Sequence, residues 1–377
     1  MTVKSKNKLI ANIIITAAVF ALAVFYLTRS KIVTAESVAK ISFLQYFAVF
    51  VFTVFGLVLY ALVDFFVYRT FTREMPFGKC FLNTLSGNLG SNVTPYKSAH
   101  FPLMAYYRYT AGIKASEAVT GLIKCQIVYS ITSFAVYLVL LVALLFAGSR
   151  IVFEGVSVPL WAVVAVGFTF HTAVLAAILV LSFCVPLQKR VLKLWGRLLL
   201  KLKKIDSEEE YLARKEEWFA AYRTEISYIL KNFAKYLLPC FVYAVFMLVS
   251  GNVQYCAWLV FTGNAFSAGD MFAFYTLCLA SAYVTNIVPV PGGVGTAEVL
   301  FSLVYSVVIP DPVIGSVLVL WRVGSYYIVT VLEAIIVPTV LFVNRRKYGE
   351  RASDGSEKTE NPEAMSQDGE EIKEKDE

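Results

Sequence analysis

Apolar runs of about twenty residues recur along the chain, separated by shorter polar stretches. Runs of this length match the thickness of a bilayer core and therefore predict membrane-spanning helices. They are Leu9–Leu27, Phe43–Val67, Tyr129–Ala147, Leu160–Cys184, Leu237–Phe261, Met271–Pro289 and Val313–Val343, with a shorter apolar helix that ends at Ile309. We therefore predict an all-α polytopic membrane protein with about eight transmembrane crossings.

Basic residues at the ends of the runs predict the orientation of the chain. Lys4, Lys6 and Lys8 precede the first run, and the last run ends in Asn344–Lys347, which contains three consecutive bases. Lysine and arginine accumulate on the cytoplasmic side of a membrane, so we expect both termini to be cytoplasmic in a plasma-membrane protein. Ala21–Ala23 resembles a signal-peptidase site, but the apolar run continues past it, which favours an uncleaved first span.

The longest polar stretch between two spans is the insert 188–235. Its first half has an apolar helical face and a basic one, which is typical of a helix lying along the cytoplasmic leaflet. The apolar face holds Val191, Trp195, Leu198, Leu199 and Leu202, and the basic face holds Lys189, Lys193, Arg197, Lys201 and Lys204. The second half, Glu208–Lys235, has mixed charges and predicts a solvated helix. The alternative is a connector that only fixes topology.

Composition supports the membrane class and divides the chain into two regions. The chain is 58% hydrophobic and 16% charged, which excludes an ordinary soluble protein. From Glu350 onward there are 11 acids and 4 bases, whereas the preceding residues carry 16 acids and 30 bases. We predict a basic membrane domain over 1–343 that contacts anionic lipid, and a disordered cytoplasmic tail over 344–377. No nucleic-acid partner is expected.

Cysteine and histidine give no sign of a metal or cofactor site. The six cysteines are scattered, and His100 and His171 are too far apart to form a metal-ligand pair of ordinary spacing. We therefore expect packing roles for the cysteines and no bound metal. No nucleotide-binding motif is present, so direct use of ATP is not expected.

Two polar segments rich in glycine and proline interrupt the apolar pattern. The first break covers 86–102 and the second covers 285–298; they share the pattern of Ser91–Pro95 (SNVTP) and Thr285–Pro289 (TNIVP). Two such segments in opposite halves suggest an inverted repeat with discontinuous helices. Their freed backbone groups need protein or water around them at membrane depth, which favours a cavity over ordinary interfacial loops.

The breaks and the nearby charges supply the candidate headgroup site. A half-helix after Gly293 would direct its positive end at an anion such as a lipid phosphate, with Thr296 as its cap and Glu298 closing its first turn. Arg322, in the middle of the last span, has a planar fork suited to phosphate, although an ion pair with Glu298 or Glu333 is the alternative. The candidates are Asn92, Thr94, Pro95, Lys97, His100, Asn286, Pro289, Pro291, Gly292, Gly293, Gly295, Thr296, Glu298 and Arg322.

Other polar residues within or beside the spans have simpler explanations. Asp64 and Lys124 are expected to extend towards the membrane interfaces. Trp321, Tyr326 and Tyr327 beside Arg322 are expected to be packing or interfacial aromatics.

At Asn286–Glu298, Asn92–Pro102 and Trp321–Arg322 the sequence resembles the flippase-like membrane region of lysylphosphatidylglycerol synthases, a family that includes stand-alone membrane proteins. The resemblance covers residues 9–343. Ala99 and His100 stand where many relatives have glycine and glutamine.

The resemblance implies a flippase-like lipid translocase that moves a phospholipid, such as lysyl-phosphatidylglycerol, between leaflets. In the family a separate soluble domain transfers lysine from tRNA to phosphatidylglycerol, and no second folded domain is predicted after the last span here. One alternative is a phosphatidylglycerol lysyltransferase, an enzyme of lipid metabolism linked to cationic-peptide and antibiotic resistance. Another is a membrane scaffold that recruits a separate lipid synthase through the insert.

Overall fold

The computed structural model describes residues 33–353, except 73, 114, 149, 154–155, 202–206 and 288–289. The first expected span, Leu9–Leu27, and most of the expected tail lie outside the described residues. The helices are α1 (Ala35–Ala39), α2 (Phe43–Arg69), α3 (Phe77–Val93), α4 (His100–Thr110), α5 (Ala115–Ala147), α6 (Leu160–Phe183), α7 (Val185–Lys201), α8 (Glu208–Lys231), α9 (Leu237–Ser250), α10 (Val253–Thr262), α11 (Ala268–Ile287), α12 (Thr296–Tyr305), α13 (Asp311–Arg322) and α14 (Ile328–Ser353).

Shorter elements connect these helices. Single 3-10 turns occur at Pro95–Lys97, Phe233–Tyr236 and Pro291–Gly293. A π-helical segment, Val323–Tyr327, joins α13 to α14. Strands β1 (Arg150–Phe153) and β2 (Val156–Pro159) pair antiparallel between α5 and α6, where the sequence predicted only a loop.

The helices confirm an all-α membrane protein, but the count of eight crossings remains a prediction. Within the described ranges four helical segments are long and apolar enough to cross a membrane: Phe43–Arg69, Glu117–Ala147, Phe233–Ser250 and Asp311–Lys347. A fifth is counted if Leu175–Phe183 and Val185–Lys201 form one bent span. Apolar helices of 10–17 residues, such as Val253–Thr262 and Thr296–Tyr305, are shorter than a full span.

Several expected elements have different bounds in the structure. The run expected to span from Leu237 to Phe261 divides into α9 and α10, because the chain turns at Gly251–Asn252. Helix α14 continues to Ser353, ten residues into the segment expected to be a disordered tail.

The insert forms two helices as expected, and α7 turns away from the preceding helix by 111°. This bend lets α7 lie across the direction of the spans, as its amphipathic pattern requires. The prediction that the second half is a solvated helix was wrong, because Tyr222, Ile226 and Ile229 of α8 are buried against α5 and α9.

Helix α2 is the central element of the fold. Ser42 and Gln45 cap its N-terminus reciprocally, and its apolar sequence packs against α3, α9 and α10. A cluster around Val49 joins α2 to α10 and α13, and one around Val63 joins it to α5, α8 and α9. The broken segments therefore lie on a scaffold of long helices that are packed on several sides.

Candidate functional site

The two breaks meet at a single cavity of about 240 Å3. The Pro95–Lys97 turn packs against the Pro291–Gly293 turn, so segments almost two hundred residues apart line the same cavity. Of the predicted site residues, those lining the cavity are Asn92, Thr94, Lys97, Gly292, Gly293 and Arg322. A cavity of this volume has room for several water molecules or for a small polar group.

The first break is a tight, strained turn. Helix α3 ends at Val93 because Pro95 forces Thr94 into extended backbone. The Thr94 hydroxyl donates to the Gly90 carbonyl at 2.6 Å and accepts the Ala99 amide at 3.0 Å. Between these ends, Tyr96 and Lys97 have φ angles of 54° and 55°. Left-handed backbone costs a non-glycine residue about 1–2 kcal/mol, so the surrounding contacts must hold this turn in place.

The second break makes a similar turn with glycine. Gly292 and Gly293 have φ angles of 60° and 63°. A β-carbon at Gly292 would overlap the Tyr326 hydroxyl, and one at Gly293 would overlap the Thr285 methyl group. Glycine is therefore required at both positions for conformation and for space.

The structural correspondence of the two turns differs from the sequence match by two residues. The sequence pattern pairs Pro95 with Pro289, whereas the 3-10 turns pair Pro95 with Pro291, each followed by two residues of positive φ. The shared feature is thus a proline followed by a left-handed pair. The inverted repeat itself remains a prediction.

Arg322 forms a buried ion pair with Glu298. The Arg322 Nε atom lies 2.6 Å from the Glu298 Oε1 atom, and Tyr327 donates to the same oxygen at 3.1 Å. The other carboxylate oxygen accepts the Gly295 amide at 2.7 Å. Glu298 therefore closes the first turn of α12, as expected, and the ion-pair alternative for Arg322 is confirmed.

The N-terminus of α12 differs in detail from the prediction. The N-cap residue is Gly295, with φ 86°, and Thr296 is the first helical residue. The prediction that Thr296 caps this helix was therefore wrong. The anion that approaches this helix end in the structure is the chain's own Glu298 carboxylate, so an external anion has to be held by other groups.

Tyr326 connects the second break to the first. Its hydroxyl donates to the Asn92 carbonyl at 3.1 Å, and its ring centre lies 4.2 Å from the Arg322 guanidinium carbon. Tyr326 and Tyr327 belong to the π-helical segment, a distortion often found at functional sites, and Tyr326 lines the cavity. The sequence reading of these tyrosines as packing or interfacial residues missed both hydrogen bonds.

The cavity wall carries excess positive charge. Lys97 is exposed to the cavity, and it has no ion-pair partner within the part of the chain that the structure describes. The Arg322 guanidinium is neutralised by Glu298, although its Nη2 atom is buried and has no hydrogen-bond partner among the described residues. The cavity wall thus carries one unbalanced positive charge, on Lys97.

Acceptor groups lie on another part of the wall. The Oε1 atom of Gln254 is buried and unpaired within the described ranges. The hydroxyls of Ser281 and Thr285 donate to main-chain carbonyls on their own helix, which leaves their oxygen lone pairs available to accept. The cavity can therefore bind an anion at Lys97 and donor groups at Ser281 and Thr285.

The remaining predicted residues have other locations. His100 is not part of the cavity wall: its Nδ1 atom lies 2.9 Å from the Gly87 carbonyl, and its Nε2 atom lies 3.4 Å from the Tyr60 hydroxyl. Pro95 and Pro291 begin the two turns. Pro289 lies outside the described residues, and the Asn286 side chain is likewise not described, although its backbone belongs to α11.

Sequence reasoning missed a second buried ionic cluster. Asp64 and Arg108 are both fully buried and joined at 3.0 Å. Asp64 also accepts from Asn83 at 2.6 Å, and from Cys125 and Tyr129 at 3.1 Å. The expectation that Asp64 extends towards an interface was wrong, because all of its partners lie inside the protein. Its full set of hydrogen bonds indicates a structural junction between α2, α3, α4 and α5.

Lys124 is buried as well, and the prediction that it extends to an interface was wrong. Its Nζ atom lies 3.0 Å from the Glu225 Oε2 atom and 4.2 Å from the ring centre of Tyr228, both on α8. The insert is therefore attached to the membrane domain by a charged contact. No group of three or more metal-ligating side chains occurs in the described residues.

Comparison with known proteins yields one match. A family model described as "Lysylphosphatidylglycerol synthase TM region" matches residues 9–332, which include both breaks, Glu298 and Arg322. No curated protein and no solved structure matches the chain.

Proposed function

Because the chain belongs to the lysylphosphatidylglycerol synthase TM-region family, we propose that it moves a phospholipid between the leaflets of the plasma membrane. In this proposal the headgroup occupies the cavity between the two breaks, and the acyl chains stay in the surrounding lipid. The observation that supports this proposal best is Lys97, a cation without an ion-pair partner among the described residues, in the cavity where the two broken segments meet.

The charge of the cavity matches that of a phosphodiester. A phosphodiester carries one negative charge, and Lys97 supplies one unbalanced positive charge. The Arg322 side chain also lines the cavity, and a guanidinium group is suited to a phosphate. Because Glu298 already balances the single charge of Arg322, a monoanion fits this site better than a dianion.

The acceptor side of the cavity suits a headgroup that also carries amines. The hydroxyl oxygens of Ser281 and Thr285, which line the cavity, can accept hydrogen bonds from an ammonium group. Lysyl-phosphatidylglycerol combines one phosphodiester with two amines, and we propose it as the substrate. A lipid synthase acting on the same membrane would supply it.

A leaflet assay in proteoliposomes tests the proposal. Lysyl-phosphatidylglycerol in the outer leaflet is modified with an amine reagent that cannot cross the membrane, and the inner pool is then followed as it reaches the reagent. We expect the wild-type protein to expose the inner pool. Lys97→Gln should slow this exposure by about 10-fold to 100-fold, the equivalent of one charged hydrogen bond.

Lys40→Gln is the matched control, because Lys40 is exposed and pairs with Glu36 outside the cavity. It should move lipid at the wild-type rate. Equal rates in wild-type and protein-free vesicles would contradict the proposal. Formation of lysyl lipid from charged tRNA by the purified chain would instead support the lysyltransferase alternative.

A further inference from the structure

Glu333 is a buried acid on the last helix that the headgroup site does not use. Its side chain is 1% exposed and lies between α14 and α3, where Leu89 and Val337 pack together. Its Oε1 atom accepts the Asn88 amide at 2.8 Å, and its Oε2 atom lies 3.5 Å from the Asn92 amide nitrogen. Both asparagines belong to the helix that ends at the first break.

Within the described ranges no cation balances Glu333. Arg322, one helical segment earlier, pairs with Glu298, and Lys97 faces the cavity. From α3 the groups that face Glu333 are the neutral amides of Asn88 and Asn92.

The other elements packed against α14 provide no counter-ion either. On α4, His100 contacts Gly87 and Tyr60, and Arg108 is paired with Asp64. From the π-helical segment the nearest titratable group is Tyr326, which is bonded to the Asn92 carbonyl. The bases of α14 itself, Arg345–Lys347, lie more than three turns further along the helix.

A carboxylate in such a place has two accessible chemical states. An ionised carboxylate in an apolar interior is costly unless a cation or several donors balance it, and taking up a proton removes that cost. The ionised form accepts both amides, whereas the neutral acid turns one acceptor oxygen into an O–H donor. Proton uptake therefore changes the hydrogen bonds available to Asn88 and Asn92.

The contacts of Asn92 connect this change to both breaks. The side-chain amide of Asn92 also donates to the Thr330 hydroxyl at 3.0 Å, and the main-chain carbonyl of Asn92 accepts from the Tyr326 hydroxyl. Tyr326 in turn covers Arg322 and fills the space above Gly292. A continuous series of contacts thus runs from Glu333 through Asn92 and Tyr326 to the second break.

We propose that Glu333 is a proton-binding site that couples protonation to the arrangement of the two breaks. Proton uptake by the Glu333 carboxylate yields a neutral acid, and release returns the proton to water. As an account of how lipid movement is regulated or driven, the proposal rests on the translocase function. The narrower claim, that Glu333 binds a proton and contacts the network between the breaks, depends only on the contacts of Glu333, Asn92 and Tyr326.

Infrared difference spectroscopy of the full chain in phosphatidylglycerol-containing nanodiscs tests the site directly. We expect a pH-dependent carbonyl band of a protonated carboxylic acid in the wild-type protein and its loss in Glu333→Gln. Glu36→Gln, at an exposed acid, should retain the band. A pH-dependent difference spectrum that is the same in wild type and Glu333→Gln would overturn the proposal.

Asn88→Ala gives an independent test that keeps the carboxyl group in place. Removing a donor to the ionised form should move the midpoint of the band by about one unit to higher pH. An unchanged midpoint would count against the site even if Glu333→Gln failed to fold.

Hydrogen exchange of the amides of 94–99 tests coupling to the first break. Wild type and Glu333→Gln are compared at the same pH, so that intrinsic exchange rates cancel. We expect the two proteins to differ in alkaline buffer, where Glu333 is ionised in the wild type, and to converge in acid. Equal exchange at every pH would overturn the coupling.

The leaflet assay separates the two proposals. If lipid does not move but the band and the exchange difference are present, the translocase proposal fails and the proton site stands. If lipid moves with the same pH dependence in wild type and Glu333→Gln, the translocase stands and the coupling fails.

Discussion

The Nε atom of Arg322 lies 2.6 Å from the Oε1 atom of Glu298, and both side chains are more than nine-tenths buried. This pair joins the end of α13 to the first turn of α12, directly after the second break. It neutralises the guanidinium group that the sequence offered either as a phosphate ligand or as one member of an ion pair. Its consequence for function is that Lys97, and not Arg322, supplies the unbalanced charge of the cavity.

Removing one member of this pair should be more harmful than removing both. Arg322→Met or Glu298→Met leaves a buried charge without its partner, which costs about 3–5 kcal/mol, whereas the double variant leaves none. We expect thermal unfolding in detergent to show a smaller loss of stability for the double variant than for either single variant. Additive losses would mean that the two side chains act independently.

Tyr96→Gly should stabilise the protein by about 1 kcal/mol. The substitution relieves left-handed strain at φ 54°, and the Tyr96 side chain is 62% exposed, so little packing is lost. Tyr106→Gly is the matched control: Tyr106 is 39% exposed within α4, where glycine should cost about 1 kcal/mol. Thermal unfolding measures the stability of both variants. A change of the same sign in both would mean that the backbone at Tyr96 is not strained.

Gly292→Ala should destabilise the second break by at least about 2 kcal/mol, because it combines positive φ with overlap on the Tyr326 hydroxyl. We expect partial recovery in the double variant with Tyr326→Phe, which removes that hydroxyl. Gly78→Ala should cause no comparable loss, since its β-carbon meets no atom within 4 Å. Thermal unfolding together with the leaflet assay measures these effects. A Gly292→Ala protein as stable and as active as wild type would show that Gly292 does not lie this close to the Tyr326 hydroxyl.

Lys124→Met should loosen the insert from the membrane domain. The substitution keeps the side-chain stem but removes the contact with Glu225, at a cost of about 2 kcal/mol. We expect faster cleavage of α8 by chymotrypsin, with the membrane helices intact. Lys189→Met is the control, because Lys189 is exposed and its bridge to Glu216 is 3.9 Å long. Equal cleavage of both variants would mean that Lys124 does not hold the insert.

The sequence was sufficient for the parts of the fold governed by local pattern. Hydrophobic runs predicted α2, α5 and α6, and the opposed apolar and basic faces predicted α7. The glycine and proline segments correctly indicated where helices break, because those residues act on their own backbone. The division between α9 and α10 was missed because Gly251 and Asn252 interrupt the apolar pattern only briefly.

The partners of the charged residues could not be predicted from sequence. Asp64 and Arg108 are 44 residues apart, and Asn88 and Glu333 are 245 apart, so no local spacing connects them. The roles of Tyr326 and Tyr327 depend on the π-helical segment, which rotates them towards Asn92 and Glu298. Local pattern identified Arg322, Glu298 and Lys97 as unusual, but only the packed helices determine which of them is neutralised.

The π-helical segment Val323–Tyr327 inserts one residue into what would otherwise be a continuous α-helix. Each residue of an α-helix turns it by about 100°, so the segment sets the angular phase between α13 and α14. Arg322 before it meets Glu298, and Glu333 after it meets Asn88. Deleting one residue here would rotate one of these partners out of reach while leaving hydropathy and span length almost unchanged. The span should therefore accept substitutions between Arg322 and Glu333 more readily than a change in their number.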